Sequence, residues 1–277
     1  MSTGPQDGGM NDLTLALWQT AYAPTTAEAL QRLDATAEQA RSQGAELLIT
    51  PEMFLTGYAI GAERVAALAE PSDGPLAQAV AAIAQRHGIA IVYGYPEHNP
   101  AGKPFNATQA IAPDGTRLMN TRKTHLFGDL DRAQFSAGDA ASQVFEWRGW
   151  RLGLLICYDV EFPEAVRGLA LQGADAVLVP TANMVPFDEV QRVLLPARAL
   201  ENRLFVAYAN ACGVEADLVY NGLSTVCGPH GRAVAVQAPP SGEALQVATL
   251  SRSALESARA TSPLPARRVD LYRPLAK

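Results

Sequence analysis

Leu13-Thr14-Leu15-Ala16-Leu17-Trp18 places apolar residues with the two-residue period of a strand. Pro24-Thr25-Thr26 then offers caps for a helix over about 27–42, with Ala29, Leu30, Leu33, Ala37 and Ala40 at helical spacing. Gly44 ends that helix, and Ala45 to Thr50 reads as a buried strand stopped by Pro51. The unit recurs as a helix over 75–87, closed by Gly88, and a strand over 89–95. Residues 105–112 and 117–122 flank Pro113-Asp114-Gly115-Thr116, the signature of a strand, turn and strand. Further on come a strand over 152–157, a helix over 164–172, a strand over 176–180, a helix over 190–202 and a strand over 204–211. Strands over 223–227 and 233–237 flank Gly228-Pro229-His230-Gly231 as a hairpin, and a last strand spans 245–250. Strand–turn–strand units interrupt the alternation of strand and helix. That predicts an α/β fold with mixed sheets and helices outside.

No linker or fixed-period repeat divides the chain, so one domain over 11–264 is expected. Residues 1–10, polar and Gly-rich, read as a disordered leader rather than a signal peptide. The tail over 265–277 reads as an arm that packs on a partner subunit.

Composition narrows the function classes. Of 277 residues, 48% are hydrophobic and 18% charged, enough for a large core. The net charge of −6, with no basic cluster, argues against nucleic acid. No apolar stretch approaches membrane-spanning length. Cys157, Cys212 and Cys227 are odd in number and form no Cys-x-x-Cys pair. Neither a disulfide framework nor a zinc site is indicated, and a cytoplasmic location is expected. Cys212 and Cys227 sit in apolar strands and read as core.

Cys157 ends the apolar run Gly153 to Ile156 and precedes Tyr158-Asp159-Val160-Glu161-Phe162-Pro163. A thiol at the carboxyl end of a strand is a candidate nucleophile, and a core cysteine fits the same local pattern. A nucleophile needs a base. Of His87, His98, His125 and His230, only His125 lies near another candidate segment. Glu52 follows a buried strand and precedes the apolar Met53 to Tyr58 loop; desolvation there would raise its pKa toward neutrality. A turn cap is the alternative. Lys123 also follows a strand, where a buried ammonium would lower a neighbouring thiol's pKa and hold an oxyanion; a solvated lysine is the alternative.

Pro51-Glu52-Met53-Phe54, Arg122-Lys123-Thr124-His125-Leu126 and Ile156-Cys157-Tyr158-Asp159 together resemble the nitrilase superfamily of carbon–nitrogen hydrolases. The resemblance runs from about Leu13 to Leu250. Pro51 to Tyr58, Lys123 to Gly128 and Val179 to Met184 are most similar to bacterial 5-aminopentanamidases and related amidases. Tyr158-Asp159, where true nitrilases usually carry Trp-Glu, favours amides over nitriles.

The resemblance implies an α-β-β-α sandwich and a homodimer or higher oligomer, with the helices from Glu164 and Val190 as the candidate interface. It implies a Glu52, Lys123 and Cys157 triad and the Tyr158 N–H as an oxyanion donor. It implies no metal or cofactor. The family's second glutamate is missing; Asp131 is its expected equivalent and Asp129 the competitor. Tyr58 and Asn183 are expected in the pocket, and Glu161, Asp188 or Glu189 opposite a cationic substrate amine. The implied reaction is hydrolysis of short aliphatic amides, with ω-amino amides such as 5-aminopentanamide in view, through a thioester. N-carbamoyl hydrolysis, acyl transfer and a non-catalytic binding role remain as alternatives.

Overall fold

A computed structural model describes residues 12–233 and 238–272. The strands are β1 (Leu13–Gln19), β2 (Leu47–Ile49), β3 (Ala90–Glu97), β4 (Phe105–Ile111), β5 (Arg117–Arg122), β6 (Val144–Trp147) and β7 (Trp150–Leu154). They continue as β8 (Ala176–Thr181), β9 (Phe205–Asn210), β10 (Cys212–Glu215), β11 (Leu218–Asn221), β12 (Thr225–Cys227) and β13 (Ala244–Leu250). The helices are α1 (Thr26–Ser42), α2 (Ala62–Leu68), α3 (Pro75–His87), α4 (Gly128–Gln134), α5 (Pro163–Leu171), α6 (Leu195–Asn202), α7 (Arg252–Ala260) and α8 (Val269–Tyr272).

Two sheets carry the fold, ordered β13-β1-β2-β3-β4-β5 and β12-β9-β8-β7-β6. The alternation in β1 shows how they pack. Leu13, Leu15 and Leu17 join Leu152, Leu154, Leu178 and Phe205 in the apolar layer between the sheets. Ala16 and Trp18 point the other way, onto Ala29, Leu33, Val80 and Ile83 of α1 and α3. The second sheet's outer face packs Val177, Val179 and Val206 on α5 and α6 through Val166, Leu169, Leu195 and Ala199. Each fully buried Leu, Val or Phe in these layers contributes about 1.5–3 kcal/mol. The result is the expected α-β-β-α sandwich.

Local chemistry sets the helix ends. Thr25 caps α1 by accepting the Glu28 N–H at 3.2 Å. Pro75 opens α3, and Gly88 closes it in the left-handed conformation. α7, which follows β13 of the first sheet, is tied to the second: Arg252 and Arg259 reach Asp175, just before β8, at 3.0 and 2.7 Å, and Arg252 lies over the Trp150 ring of β7.

Several boundaries differ from expectation. β7 ends at Leu154, and Cys157 opens a 3-10 turn (Cys157–Glu161) instead of closing the strand. The helix expected over 190–202 begins as a π-helical turn (Val190–Leu194) before α6. The return strand expected over 233–237 lies outside the described residues except for Ala233, which bridges Cys227. The leader over 1–10 also lies outside them. In the tail, a 3-10 turn (Leu264–Ala266) and α8 are described, the latter with Val269, Leu271 and Tyr272 exposed. Among the described residues, no helix is long and apolar enough to cross a membrane.

Topology puts the site at one end. β1, β2 and β3 are mutually parallel, as are β7, β8 and β9. β4 runs antiparallel to β3 and β5 antiparallel to β4, so β5 points the same way as β3. The carboxyl ends of β2 and β5 therefore share one edge of the first sheet. The Thr20–Ala211 bridge joins the two sheets just past β1 and β9, at the corresponding edge of the second.

Candidate active site

Glu52 stands beyond β2 and is tied to both sheets. Its N–H donates to the Thr181 carbonyl at the end of β8, at 3.2 Å. The Tyr22 hydroxyl donates to its carbonyl at 2.8 Å. Gly94 leaves room for this turn: a Cβ there would overlap the Met53 backbone nitrogen and stand 3.0 Å from the Glu52 carbonyl carbon. We expect Gly94→Ala to destabilise the protein by about 1–3 kcal/mol through this overpacking. Turnover should fall with it as Glu52 shifts. Urea unfolding alongside ammonia release checks this; unchanged values for both would contradict the close approach.

Lys123 follows β5, with its N–H on the Asn106 carbonyl at 2.8 Å. Its ammonium is fully buried and bridges Glu52 Oε1 at 2.8 Å and Asp131 Oδ2 at 2.7 Å. Asn106 Nδ2 donates to the same Glu52 oxygen at 2.6 Å. Glu52 Oε2, equally buried, accepts no hydrogen bond among the described residues. That oxygen is the one able to take a proton from a reacting group.

Asp131 is well satisfied. It accepts the Tyr58 hydroxyl at 2.7 Å and the Phe127 N–H at 2.8 Å besides Lys123. Its rival Asp129 is solvent-exposed and reaches only Arg132, at 3.5 Å. Of the two, Asp131, carried by the short helix α4, is thus the acid that reaches Lys123, and Asp129 is not.

Cys157 sits at φ 46°, a left-handed conformation that costs a non-glycine residue about 1–3 kcal/mol. The strained turn lifts the thiol off the strand axis. The residue keeps part of its surface accessible, although its surroundings are densely packed. Burial pushes the thiol far above its ordinary pKa and the Glu52 charge adds to this; Lys123, the Thr181 hydroxyl and the Ala182 N–H oppose it. Burial also raises the Glu52 carboxyl against the pull of Lys123. Burial alone would lower Lys123, but Glu52 and Asp131 outweigh it and hold the ammonium well above its usual value. At rest the site therefore pairs a neutral thiol with a fixed cation and a carboxylate of elevated basicity.

The other expected residues divide. The first N–H groups of the 3-10 turn, Tyr158 included, have no partner within that turn and suit an oxyanion. Tyr58 is buried, its ring 5.6 Å from the Lys123 ammonium and its hydroxyl on Asp131, so it braces the charged cluster. Asn183 is occupied by its own loop: Nδ2 donates to the Phe187 carbonyl and Gln191, and Oδ1 accepts the Met184 N–H. Its amide is thus fully engaged within the segment after β8. Asp188 pairs with Arg192 at 2.5 Å. Glu161 is half-buried and carries a raised pKa, from burial first and then the Glu189 charge, with Lys123 opposing. His125 is held by Asp159 at 2.8 Å, His87 by Asp34 at 2.7 Å, and His98 and His230 are exposed.

Sequence reasoning missed Asn106, Tyr22, Tyr208 and Glu215. Glu215 on β10 accepts the Ala59 N–H at 2.7 Å and the Tyr220 hydroxyl at 2.6 Å, fixing the loop that carries Tyr58. Asn106 had a legible signal, a polar residue at the start of a strand buried on both faces. Among the described residues, no group of three or more His, Cys, Asp or Glu side chains is arranged to hold a metal.

Known proteins share this sequence pattern and fold. The family model for carbon–nitrogen hydrolases matches residues 14–260. A Pseudomonas protegens protein described as "hydrolase in pqqF 5′region" is 50% identical, over 97% of this chain and 94% of its own. An (R)-stereoselective amidase from Pseudomonas sp. is 40% identical, over 68% and 67%. Among solved structures, an amidase from Nesterenkonia sp. AN1 superposes with TM-score 0.82 at 35% identity, covering 95% of this chain and 99% of that one. A mutant of that amidase carries the acetamide moiety of fluoroacetamide on its active-site cysteine, again at TM-score 0.82, with 34% identity and 99% of each chain covered. With the motifs, the sandwich and the buried cluster all in agreement, the chain belongs to the carbon–nitrogen hydrolases of the nitrilase superfamily.

Proposed function

We propose that this protein is a cysteine-dependent amidase that hydrolyses short aliphatic amides to carboxylic acid and ammonia through a thioester. The observation that carries this reading is the buried Lys123 held between Glu52 and Asp131, with Glu52 Oε2 free. Glu52 takes the thiol proton as Cys157 Sγ attacks the amide carbonyl. Lys123 and the Tyr158 N–H hold the oxyanion. Glu52 returns its proton to the nitrogen, the C–N bond breaks, and ammonia leaves. Water then gives a proton to Glu52 as its oxygen attacks the thioester. The C–S bond breaks, the acid is released, and the thiol recovers the proton. The amidase relatives and the cysteine adduct in the Nesterenkonia mutant support an amidase with a cysteine nucleophile.

ω-Amino amides such as 5-aminopentanamide are the preferred substrates in this reading. Glu161 supports it, four residues beyond Cys157, half-buried and within electrostatic reach of Lys123. The protein acts in the cytoplasm as a homodimer or higher oligomer. Exposed Leu171, Val193 and Leu200 on and beside α5 and α6 support pairing there, with the tail over 265–277 packing on the partner.

Ammonia release from 5-aminopentanamide, neutral aliphatic amides, N-carbamoyl compounds and nitriles tests the proposal. Amides are expected to turn over, the ω-amino amide fastest. Turnover of carbamoyl compounds alone would move the reading to the ureido carbon. Hydroxamate outpacing hydrolysis when hydroxylamine is added would move it to acyl transfer.

A further inference from the structure

Lys123 belongs to the first sheet and Cys157 to the second, so catalysis requires the sheets to hold register within a fraction of an ångström. The apolar layer between them is non-directional and does not fix such a distance. The Glu52 N–H on the Thr181 carbonyl relates Glu52 to β8, but says nothing of Lys123 relative to Cys157. Asp159 supplies that link. Its carboxylate is buried two residues past the nucleophile. Oδ1 accepts the Thr124 N–H at 3.2 Å, the Thr124 hydroxyl at 2.8 Å and the His125 N–H at 2.9 Å, and meets His125 Nδ1 at 2.8 Å. Oδ2 accepts the Ile156 N–H at 3.3 Å. The Asp159 N–H closes the turn on the Ile156 carbonyl at 3.0 Å, around the strained Cys157.

Thr124 and His125 follow Lys123 directly, and Ile156 precedes Cys157. One side chain thus fastens the segment carrying the cation to the turn carrying the thiol. Only an ionised carboxylate offers acceptors alone on both oxygens, as this donor set demands. Phe162, just past the same turn, stacks on the His125 ring at 3.8 Å and backs the joint from outside.

We propose that Asp159 is the positioning residue that sets Lys123 against Cys157, acting through Thr124, His125 and Ile156 without touching substrate. This rests on the reading of Cys157 as nucleophile and Lys123 as its electrostatic partner.

Asp159→Asn and Asp159→Ala test it in the full-length protein. The readouts are kcat and KM on the best amide, Cys157 alkylation by iodoacetamide followed by peptide mass, and the folded fraction. Misplacement of about 1 Å costs on the order of 100-fold, so Asp159→Ala should lose about that much in kcat. Its KM should stay within about threefold, since the lost interaction serves the transition state. Cys157 alkylation should slow by about tenfold as the thiol loses its cationic neighbour. Asp159→Asn keeps one acceptor oxygen and should recover about tenfold of the kcat loss. Folded variants with unchanged kcat and alkylation rate would overturn the proposal. So would a loss of activity that tracks the folded fraction alone. Alkylation needs no amide, so slowed labelling in Asp159→Ala, relative to a wild type that turns over no amide, would remove the amidase reading and leave the positioning role standing.

Discussion

Lys123→Met lowers kcat by about 10²–10³-fold, the usual consequence of deleting an oxyanion donor. It also removes about 3–5 kcal/mol of stability, because Glu52 and Asp131 are left buried without their shared cation. Methionine matches the lysine stem in volume, so packing is not the cause. The stability loss grows with pH. Without the cation to oppose it, burial holds the Glu52 carboxyl above its unfolded pKa, so the folded state binds more protons in that window. Stability then falls as pH rises from the ordinary carboxylate range to the raised value. Adding Glu52→Gln and Asp131→Asn should restore most of the stability and none of the activity, since neutral partners need no cation. Urea unfolding across pH and ammonia release check both halves. Near-wild-type turnover in Lys123→Met would remove Lys123 from the mechanism.

The sequence and the structure agree where local signals are strong. The bounds of α3 follow from Pro75 and Gly88, and those of α1 from the Thr25 cap. The β10–β11 hairpin escaped notice because Ala216 and Asp217 make its turn, without the Asn-Gly or Gly signature that marks such turns. α4 is short and begins at a glycine without a side-chain cap, so no periodicity announces it. α7 did carry a signal, the Ser251 cap with Leu255 and Ala258 three apart, but the reading stopped at Leu250. In the site, Glu52, Lys123 and Cys157 stood out because each stands at or just past the end of a strand-like segment. Asn106, Tyr22 and Glu215 did not, because they reach the cluster from distant strands and loops. Only the topology that aligns the carboxyl ends of β2 and β5 brings these groups together. Which face of α4 turns inward was likewise illegible: it buries Asp131 against Lys123 and leaves Asp129 in solvent.

The same topology supports the proposal that one thiol in three, that of Cys157, is the nucleophile. Cys212 and Cys227 are buried in strands, and burial pushes their pKa values up to about 11 and about 12. Cys157 is raised further still, so resting acidity is not what distinguishes it. What sets it apart is a turn that exposes part of the residue, with a basic carboxylate oxygen and a cation within electrostatic reach. In the proposed mechanism, activation waits until substrate arrives and proton transfer to Glu52 accompanies attack.

Cys157→Ala therefore abolishes turnover, with kcat falling on the order of 10⁵-fold, because the remaining groups have no nucleophile to activate. The fold should tolerate the change well. Alanine relieves nothing at φ 46° and gives up the thiol's contacts with the Thr181 hydroxyl and the Ala182 N–H, but it keeps the apolar packing of Cβ. Fluoroacetamide separates this outcome from general damage. The wild type should gain a single acetamide-sized mass on the peptide holding Cys157, with Cys212 and Cys227 unlabelled in the native state. Cys157→Ala should gain none until it is unfolded. Glu52→Gln separates the roles further: it removes the base but leaves the thiol, so turnover should collapse while slow labelling of Cys157 persists. Equal labelling of all three cysteines in the native wild type would mean that the turn at Cys157 confers no selective reactivity, and the nucleophile assignment would fall.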